Sequence, residues 1–311
     1  MTAPRLAPEA VALIEAAGGR LHYMAPYPTA AELAVLAGRV RAVAILSRQG
    51  PVTVAVLDAA PGLRIVARHG VGVDDVDVAE ATRRGVLVTR APGSNTRAVA
   101  EHTMAMMLAL VKDLPVLGAE VAAGRWRGAN TKVRDVAGLR LGLLGFGAIG
   151  RAVAGLAGAF GMTVGFHDPD GVEMAGIERF ATVPALLARS DVLSLHLPMA
   201  ASTRHVIDAA ALAALPAKAI VVNTARGGLI DEAALLAALD RGHIAGAGLD
   251  VFEIEPPLDA DPLRRHGHVI VTPHVAGVTD GSLVTMGVMA AECIAAVLRG
   301  EAVPAERLVR A

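Results

Sequence analysis

The sequence predicts an α/β protein of two domains built on parallel sheets, and three observations carry that prediction. Short β-branched runs alternate with Ala- and Leu-rich runs from end to end, the pattern of βαβ units joined by right-handed crossovers. Several strand candidates, Ala219-Ile220-Val221-Val222 among them, are apolar without alternation, as strands covered on both faces are. The chain of 311 residues, at roughly 100–200 residues per domain, has room for two cores that need neither disulfide nor structural metal.

Taken in order, strands are expected at 21–25, 43–47, 63–68 and 86–89, with helices at 30–37, 53–60 and 78–84 between them. Pro92-Gly93 then breaks the chain, and Asn95 is placed to cap a long helix over 95–114. Strands follow at 141–145, 163–167, 192–197, 219–224, 247–251 and 269–272, with helices at 151–160, 209–215 and 232–240. A second long helix, about 280–299, closes the pattern. The two long helices flank the central βαβ block as connectors between two domains would.

Charge and composition exclude several classes. With 29 Lys and Arg against 30 Asp and Glu, the net charge is −1, which leaves no footprint for nucleic acid or an anionic membrane. No uncharged apolar run approaches the ~20 residues that span a bilayer; 104–111 is only eight long. The first twenty residues carry Arg5, Glu9 and Glu15 and do not read as a signal peptide. The single cysteine, Cys293, rules out a disulfide framework and fits a reducing cytoplasm. His22, His205, His243, His266 and His268 show no ligand spacing, so no metal is expected. His102, mid-helix, reads as structural.

The sharpest motif is Gly145-Phe146-Gly147-Ala148-Ile149-Gly150, which stands between a strand and a helix as GxGxxG must. Gly145 permits the turn, Gly147 lets backbone approach a pyrophosphate, and Gly150 lets helix and strand pack closely. The helix N-terminus offers N–H groups and positive dipole to the phosphates. The next strand ends at Asp168, whose carboxylate suits the adenosine ribose hydroxyls and repels a 2′-phosphate. The motif therefore points to NAD rather than NADP.

Further motifs follow in order: Gly70-Val71-Gly72-Val73-Asp74-Asp75-Val76-Asp77, Ala91-Pro92-Gly93-Ser94-Asn95, His196-Leu197-Pro198, Asn223-Thr224-Ala225-Arg226-Gly227-Gly228, Leu249-Asp250-Val251-Phe252-Glu253-Ile254-Glu255-Pro256 and Thr272-Pro273-His274. This set resembles the D-isomer-specific 2-hydroxyacid dehydrogenase family over about residues 40–300. Within it the chain is most similar to phosphoglycerate dehydrogenases without the C-terminal regulatory domain. The resemblance implies two Rossmann-like or flavodoxin-like domains. A cofactor domain of 95–278 would be inserted into a discontinuous substrate domain of 1–94 and 279–311, with the active site in the cleft and a homodimer as the assembly.

The chemistry of a 2-hydroxy acid agrees with the residues in these motifs. His274 suits the acid/base, Glu255 suits a carboxylate that orients it and favours its protonated form, and Arg226 suits a bidentate clamp on the substrate. The resemblance assigns the same roles. It also implies NAD contacts at Ala148, Ile149, Asp168, Leu197, Pro198, Thr224, Ala225, Arg226, Asp250, His274 and Gly277. The substrate carboxylate is expected on the backbone of Gly70, Val71 and Gly72, with Arg226 and His274 beside it. Ala148 stands where many members have Arg or Lys, so one pyrophosphate charge contact is missing. Arg48, Arg68 and His69 are cations suited to a second anionic group, as in 3-phosphoglycerate; glyoxylate or hydroxypyruvate is the competing substrate. Glu255 argues against a formate dehydrogenase, which has Gln there. A binding protein that senses NAD, like the C-terminal-binding-protein co-repressors, is the alternative from another class. The apolar stretches 104–111 and 116–126 are expected to exceed what one small domain buries, and so to form a dimer surface.

Overall fold

Packing divides the chain into two units in this computed structural model, which describes residues 6–129 and 131–310. One unit comprises the chain up to Asn95 and again from Val278; the other is Thr96–Gly277.

The first unit begins with α1 (Pro8–Ala16) and α2 (Ala30–Arg39). Thr29 and Glu32 close a capping box on α2. Then β1 (Ala44–Ser47), α3 (Val54–Ala59), β2 (Ile65–Arg68), α4 (Val78–Arg83) and β3 (Leu87–Thr89) alternate. The three strands are parallel, with Ala44 opposite Ile65 and Ile65 opposite Leu87. Period-two alternation sends their side chains to two cores. Ile45, Val66 and Val88 pack with Leu33, Val56 and Leu57 on one face, while Leu46, Ile65 and Ala67 pack with Ala10 and Ile14 on the other. The strand expected at 21–25 does not form; only Met24 makes an isolated bridge. Pro26 and Pro28 follow at once, and a proline cannot donate to a ladder.

The second unit opens on α5 (Thr96–Val111) and α6 (Leu114–Ala122). The helix expected over 95–114 is α5, which stops at Val111, and α6 is a second helix beyond it. Asp113 turns into the left-handed region at φ 47°, and Pro115 starts a new helix where the old one could not continue. The expected Asn95 cap is not made, since its Oδ1 has no hydrogen-bond partner among the described residues. Then come β4 (Arg140–Leu144), α7 (Ala148–Ala159), β5 (Thr163–His167), β6 (Glu178–Arg179), α8 (Val183–Leu187) and β7 (Val192–Leu195). They are followed by α9 (Ala209–Ala214), β8 (Ala219–Asn223), α10 (Glu232–Asp240), β9 (Ile244–Leu249) and β10 (Val269–Val271). The sheet order is β10-β9-β8-β7-β4-β5-β6, parallel throughout. Chain direction across it reverses beside β4, the point where open α/β sheets hold ligands.

The apolar stretch 104–111 is not surface. Met104, Met106, Met107, Leu110 and Val111 are buried against Leu141, Leu143 and Val222 of the sheet. Its neighbour differs: α6 has no buried residue, and Leu114, Val121 and Trp126 are exposed, Trp126 at 80%. Only the second stretch therefore keeps the character of an unpartnered apolar face, because the first already fills the groove between helix and sheet.

The chain returns to the first unit through α11 (Asp280–Arg299), capped by Thr279 and Ser282 at one end and by Gly300 at φ 77° at the other. By length and composition α11 would span a membrane. Here Met286, Ala290, Ala291, Cys293, Ile294 and Val297 are buried in it, and its core partners include Ile14 of α1 and Ile65 of β2. It is the core helix of its unit. β11 (Leu308–Val309) then adds to β3 as an antiparallel edge strand.

Candidate active site

The glycine turn leaves β4 and enters α7, and each glycine meets a different constraint. Gly145 sits at φ 98°, and a Cβ there would lie 2.5 Å from the carbonyl oxygen of His196. A Cβ at Gly150 would lie 2.5 Å from the oxygen of Gly145, so the helix can seat on the turn only without a side chain. Gly147, the N-cap, has open space over its Cα and makes no side-chain cap. The first turn of this twelve-residue helix is thus not closed by a side-chain cap, which suits its N–H groups to a phosphate. Asp168 holds the turn from the end of β5, its Oδ2 accepting the Phe146 N–H at 2.7 Å and its Oδ1 the Asp170 N–H at 3.0 Å. The residues present fit a dinucleotide. Ala148 adds no charge, while Arg151, one turn on, reaches back to the Phe146 carbonyl at 3.2 Å.

Three neighbouring strands, β8, β9 and β10, end in loops that carry Arg226, Glu255 and His274. After β8, Asn223 braces its own loop: Oδ1 accepts the Ala225 N–H and Nδ2 donates to the Arg226 carbonyl. The Arg226 guanidinium donates to the Ala225 carbonyl at 2.7 Å. Gly227 lies flush on the loop after β9, since a Cβ there would come within 1.9 Å of the Phe252 carbonyl carbon. That close approach seats the Arg226 loop on the Glu255 loop. Glu255 accepts the Phe252 N–H on Oε1 at 3.1 Å and bonds His274 Nδ1 through Oε2 at 2.7 Å. Burial pushes the Glu255 carboxyl up. The His274 hydrogen bond and charge, the Phe252 N–H and the Arg226 charge outweigh this and hold it below its usual range. The other ring nitrogen of His274 has no partner among the described residues, and the side chain is half exposed.

His274 itself stands at φ 54°, a left-handed conformation that costs a non-glycine residue about 1–2 kcal/mol. Asp250 imposes it. The Asp250 carbonyl accepts the His274 N–H at 2.8 Å. Its Oδ1 accepts the Val275 N–H at 2.8 Å and the Thr272 hydroxyl at 2.5 Å, and its Oδ2 accepts the Ala276 N–H at 2.8 Å. Hydrogen bonds to a charged group contribute about 1.5–3 kcal/mol each, so the set outweighs the strain. Asp250 is 1% exposed. Its carboxylate builds the turn under His274, a use beyond the nicotinamide contact that the resemblance implies.

The remaining candidates separate into used and open groups. Thr224 donates its hydroxyl to Thr103 of α5 at 2.8 Å, because the Thr103 hydroxyl already bonds the Val99 carbonyl. Leu197 and Ala225 pack on the core and Pro198 accepts Thr203. Ile149 packs on the second core, and Gly277 closes the unit. In the first unit, Gly70, Val71 and Gly72 form an irregular turn after β2. The expectation of three cations there needs correction. Arg68 pairs with Asp75 at 2.5 Å and with Ser47 at 3.1 Å, so a carboxylate already neutralises it. His69 is 6% exposed, and burial first, then the charges of Arg48 and Arg68, lower it to about 4. It is neutral at physiological pH and adds no charge. Arg48 is half-buried, and burial lowers its pKa. Sequence reasoning missed Thr103 and Thr272, and it placed His102 only as structural. His102 Nε2 lies 3.0 Å from the Thr272 hydroxyl. The signal was available in part: Thr224 and Thr272 stand in two of the motifs, but nothing local names their helix partners.

Residues 104–276 match the family model described as D-isomer specific 2-hydroxyacid dehydrogenase, NAD binding domain. The chain is 42% identical over 254 residues to the D-3-phosphoglycerate dehydrogenase of Methanocaldococcus jannaschii, which covers 80% of this chain and 48% of that protein. It is 40% identical over 262 residues to the glyoxylate reductase of Korarchaeum cryptofilum, covering 82% and 79%. The crystal structure of Aquifex aeolicus D-lactate dehydrogenase complexed with NAD and lactic acid superposes with a TM-score of 0.86 at 29% identity, covering 98% of both chains. The chain spans about half the length of the phosphoglycerate dehydrogenases it matches.

Two histidines with lowered pKa, buried His69 and partly buried His196, set an acid limit on stability. His196 bonds Ser194 at 3.0 Å at the end of β7, and burial lowers it to about 4, as for His69. An unfolded histidine binds its proton near pH 6.5, so the unfolded state gains protons first as pH falls, and stability drops from about pH 6.5 to about pH 4. For His69 the loss is on the order of 3 kcal/mol. In urea unfolding between pH 7 and pH 4.5, His69→Gln is expected to lose less of its midpoint than the wild type. Equal losses would contradict the assignment.

Proposed function

The chain belongs to the D-isomer specific 2-hydroxyacid dehydrogenase family, and from that premise we propose an NAD-dependent oxidoreductase that interconverts a D-2-hydroxy acid and its 2-oxo acid. The observation that carries the proposal is the Glu255–His274 bond at 2.7 Å, with the second imidazole nitrogen open, one loop from Arg226. In reduction the balance is 2-oxo acid, NADH and one proton to 2-hydroxy acid and NAD⁺. Bound NADH supplies the hydride that C2 of the substrate accepts. His274 Nε2 gives its proton to the carbonyl oxygen as charge develops there, and Nδ1–H stays on Glu255, which fixes the ring and favours the protonated form. Arg226 holds the carboxylate and polarises the carbonyl. In oxidation the same imidazole takes the hydroxyl proton.

We propose a short 2-oxo acid of the glyoxylate or hydroxypyruvate type as substrate. The neutralised Arg68 and neutral His69 support this over a phosphorylated acid, and backbone N–H groups of the Gly70–Gly72 turn suit a single carboxylate. Likeness to phosphoglycerate dehydrogenases and the charge of Arg48 support the second reading. A panel of phosphohydroxypyruvate, hydroxypyruvate, glyoxylate and pyruvate with NADH tests both. A kcat/KM highest for phosphohydroxypyruvate would overturn the first. Turnover of none would favour a binding protein. We also propose a homodimer through α6 and Trp126.

Replacing His274 by Ala is expected to lower kcat by ~10²–10⁴ with NADH affinity little changed. Arg226→Lys should raise KM for the oxo acid, since an ammonium lacks the planar fork. Glu255→Gln removes the charge that favours imidazolium, so the basic limb of the reduction profile should move to lower pH; an unmoved profile would leave Glu255 structural. Asp168 predicts a kcat/KM for NADH above that for NADPH, narrowed in Asp168→Ala, and equal wild-type values would refute it. Light scattering at micromolar concentration should return about twice the 31.8 kDa chain mass.

A further inference from the structure

Two consecutive residues of α5 reach two different loops of the site. His102 Nε2 lies 3.0 Å from the Thr272 hydroxyl in the His274 loop, and Thr103 lies 2.8 Å from the Thr224 hydroxyl in the Arg226 loop. Hydrogen-bond arithmetic fixes the direction of each. Thr272 donates its only proton to the Asp250 carboxylate, which can only accept, so it must itself accept from His102 Nε2–H. Thr103 donates to the Val99 carbonyl and therefore accepts from Thr224. Donation thus runs from His102 through Thr272 to Asp250, and Asp250 is the group that holds the Val275 and Ala276 N–H groups beneath His274.

The helix that presents these groups is seated closely on the strand between the two loops. β9 carries Gly246 and Gly248, and a Cβ on Gly248 would lie 3.1 Å from Met106 Cβ, one on Gly246 3.0 Å from Leu110. The missing side chains let α5 approach, while Met104, Met106 and Met107 anchor it in the core. Successive helical residues point about 100° apart, so neighbours at 102 and 103 can serve loops on either side of β9.

We propose that His102 and Thr103 are positioning residues: α5 sets His274 through His102–Thr272–Asp250, and sets the Arg226 loop through Thr103–Thr224. The inference rests on the proposed dehydrogenase reading for its kinetic consequences and on the bonds alone for its structural ones. Loss of a sub-ångström constraint at a reacting group costs up to ~10²-fold. His102→Phe, which keeps the ring and removes the donor, should lower kcat for 2-oxo acid reduction by ~10-fold or more, with KM for NADH within about twofold. Thr272→Val should do the same, and the double variant should lose no more than either single one, because both break one chain. His102→Gln, which restores a donor, should recover most of the rate. Thr103→Val should instead act mainly on KM for the oxo acid, through Arg226.

Hydrogen exchange on the protein without ligands separates this inference from the functional reading. In His102→Phe the Val275 and Ala276 amides should exchange at least ~10-fold faster, with the amides of α5 unchanged. Exchange that stays at the wild-type rate would overturn the anchoring whatever the enzyme does. Faster exchange with wild-type kcat, in an enzyme that does turn over a 2-oxo acid, would overturn the positioning role. A wild type that reduces no 2-oxo acid would overturn the functional reading, and the exchange rates would then decide the anchoring alone.

Discussion

The buried carboxylate of Asp250 is the constraint on which the rest of the site depends. It leaves β9 fully enclosed, and its side-chain partners are the Thr272 hydroxyl and the Val275 and Ala276 N–H groups, with its own carbonyl on the His274 N–H. An anion in that position would be costly without donors. The turn at 272–276 supplies them only by adopting a backbone path in which His274 is left-handed. The strain at His274 and the burial of Asp250 are therefore one arrangement, each making the other tolerable. The imidazole that results points its Nδ1 at Glu255.

The same unit also depends on absent side chains. Gly227 brings the Arg226 loop against the Phe252 backbone, Gly145 brings the phosphate turn against His196, and Gly246 and Gly248 admit α5 onto β9. The first two approaches join loop to loop, and the third seats a helix on a strand. The site is accordingly carried by the C-terminal ends of parallel strands, where loop ends converge and N–H groups face outward. Precision comes from the scaffold, and chemistry from the few side chains it leaves uncovered.

Electrostatics in the first unit follow burial rather than residue type. Arg68 beside Asp75 forms a neutral pair, and burial holds that carboxyl above its usual range even so. His69, among arginines and nearly enclosed, stays neutral. A cluster that reads as three positive charges in the sequence thus has one offset by a carboxylate, at Arg68, and one absent, at His69.

The sequence by itself determined the fold class, since unbroken apolar strands separated by helical runs can be satisfied only by a parallel sheet covered on both faces. It also determined the phosphate turn, because Gly145, Gly147 and Gly150 are spaced by a local geometry that needs no distant partner. Arg226, Glu255 and His274 were legible as types suited to one reaction. The family resemblance implied that they act together; the strand order that brings their loops together, with β8, β9 and β10 side by side, was not legible. Only the tertiary structure decided that 104–111 is core while α6 is surface, since both stretches are equally apolar and differ in what covers them. It decided as well that Arg68 is neutralised, that Asp250 serves the turn beneath His274, and that His102 faces Thr272. Each depends on which partner the folded chain brings up, and a sequence pattern records period and local preference, not which group completes a hydrogen bond or cancels a charge.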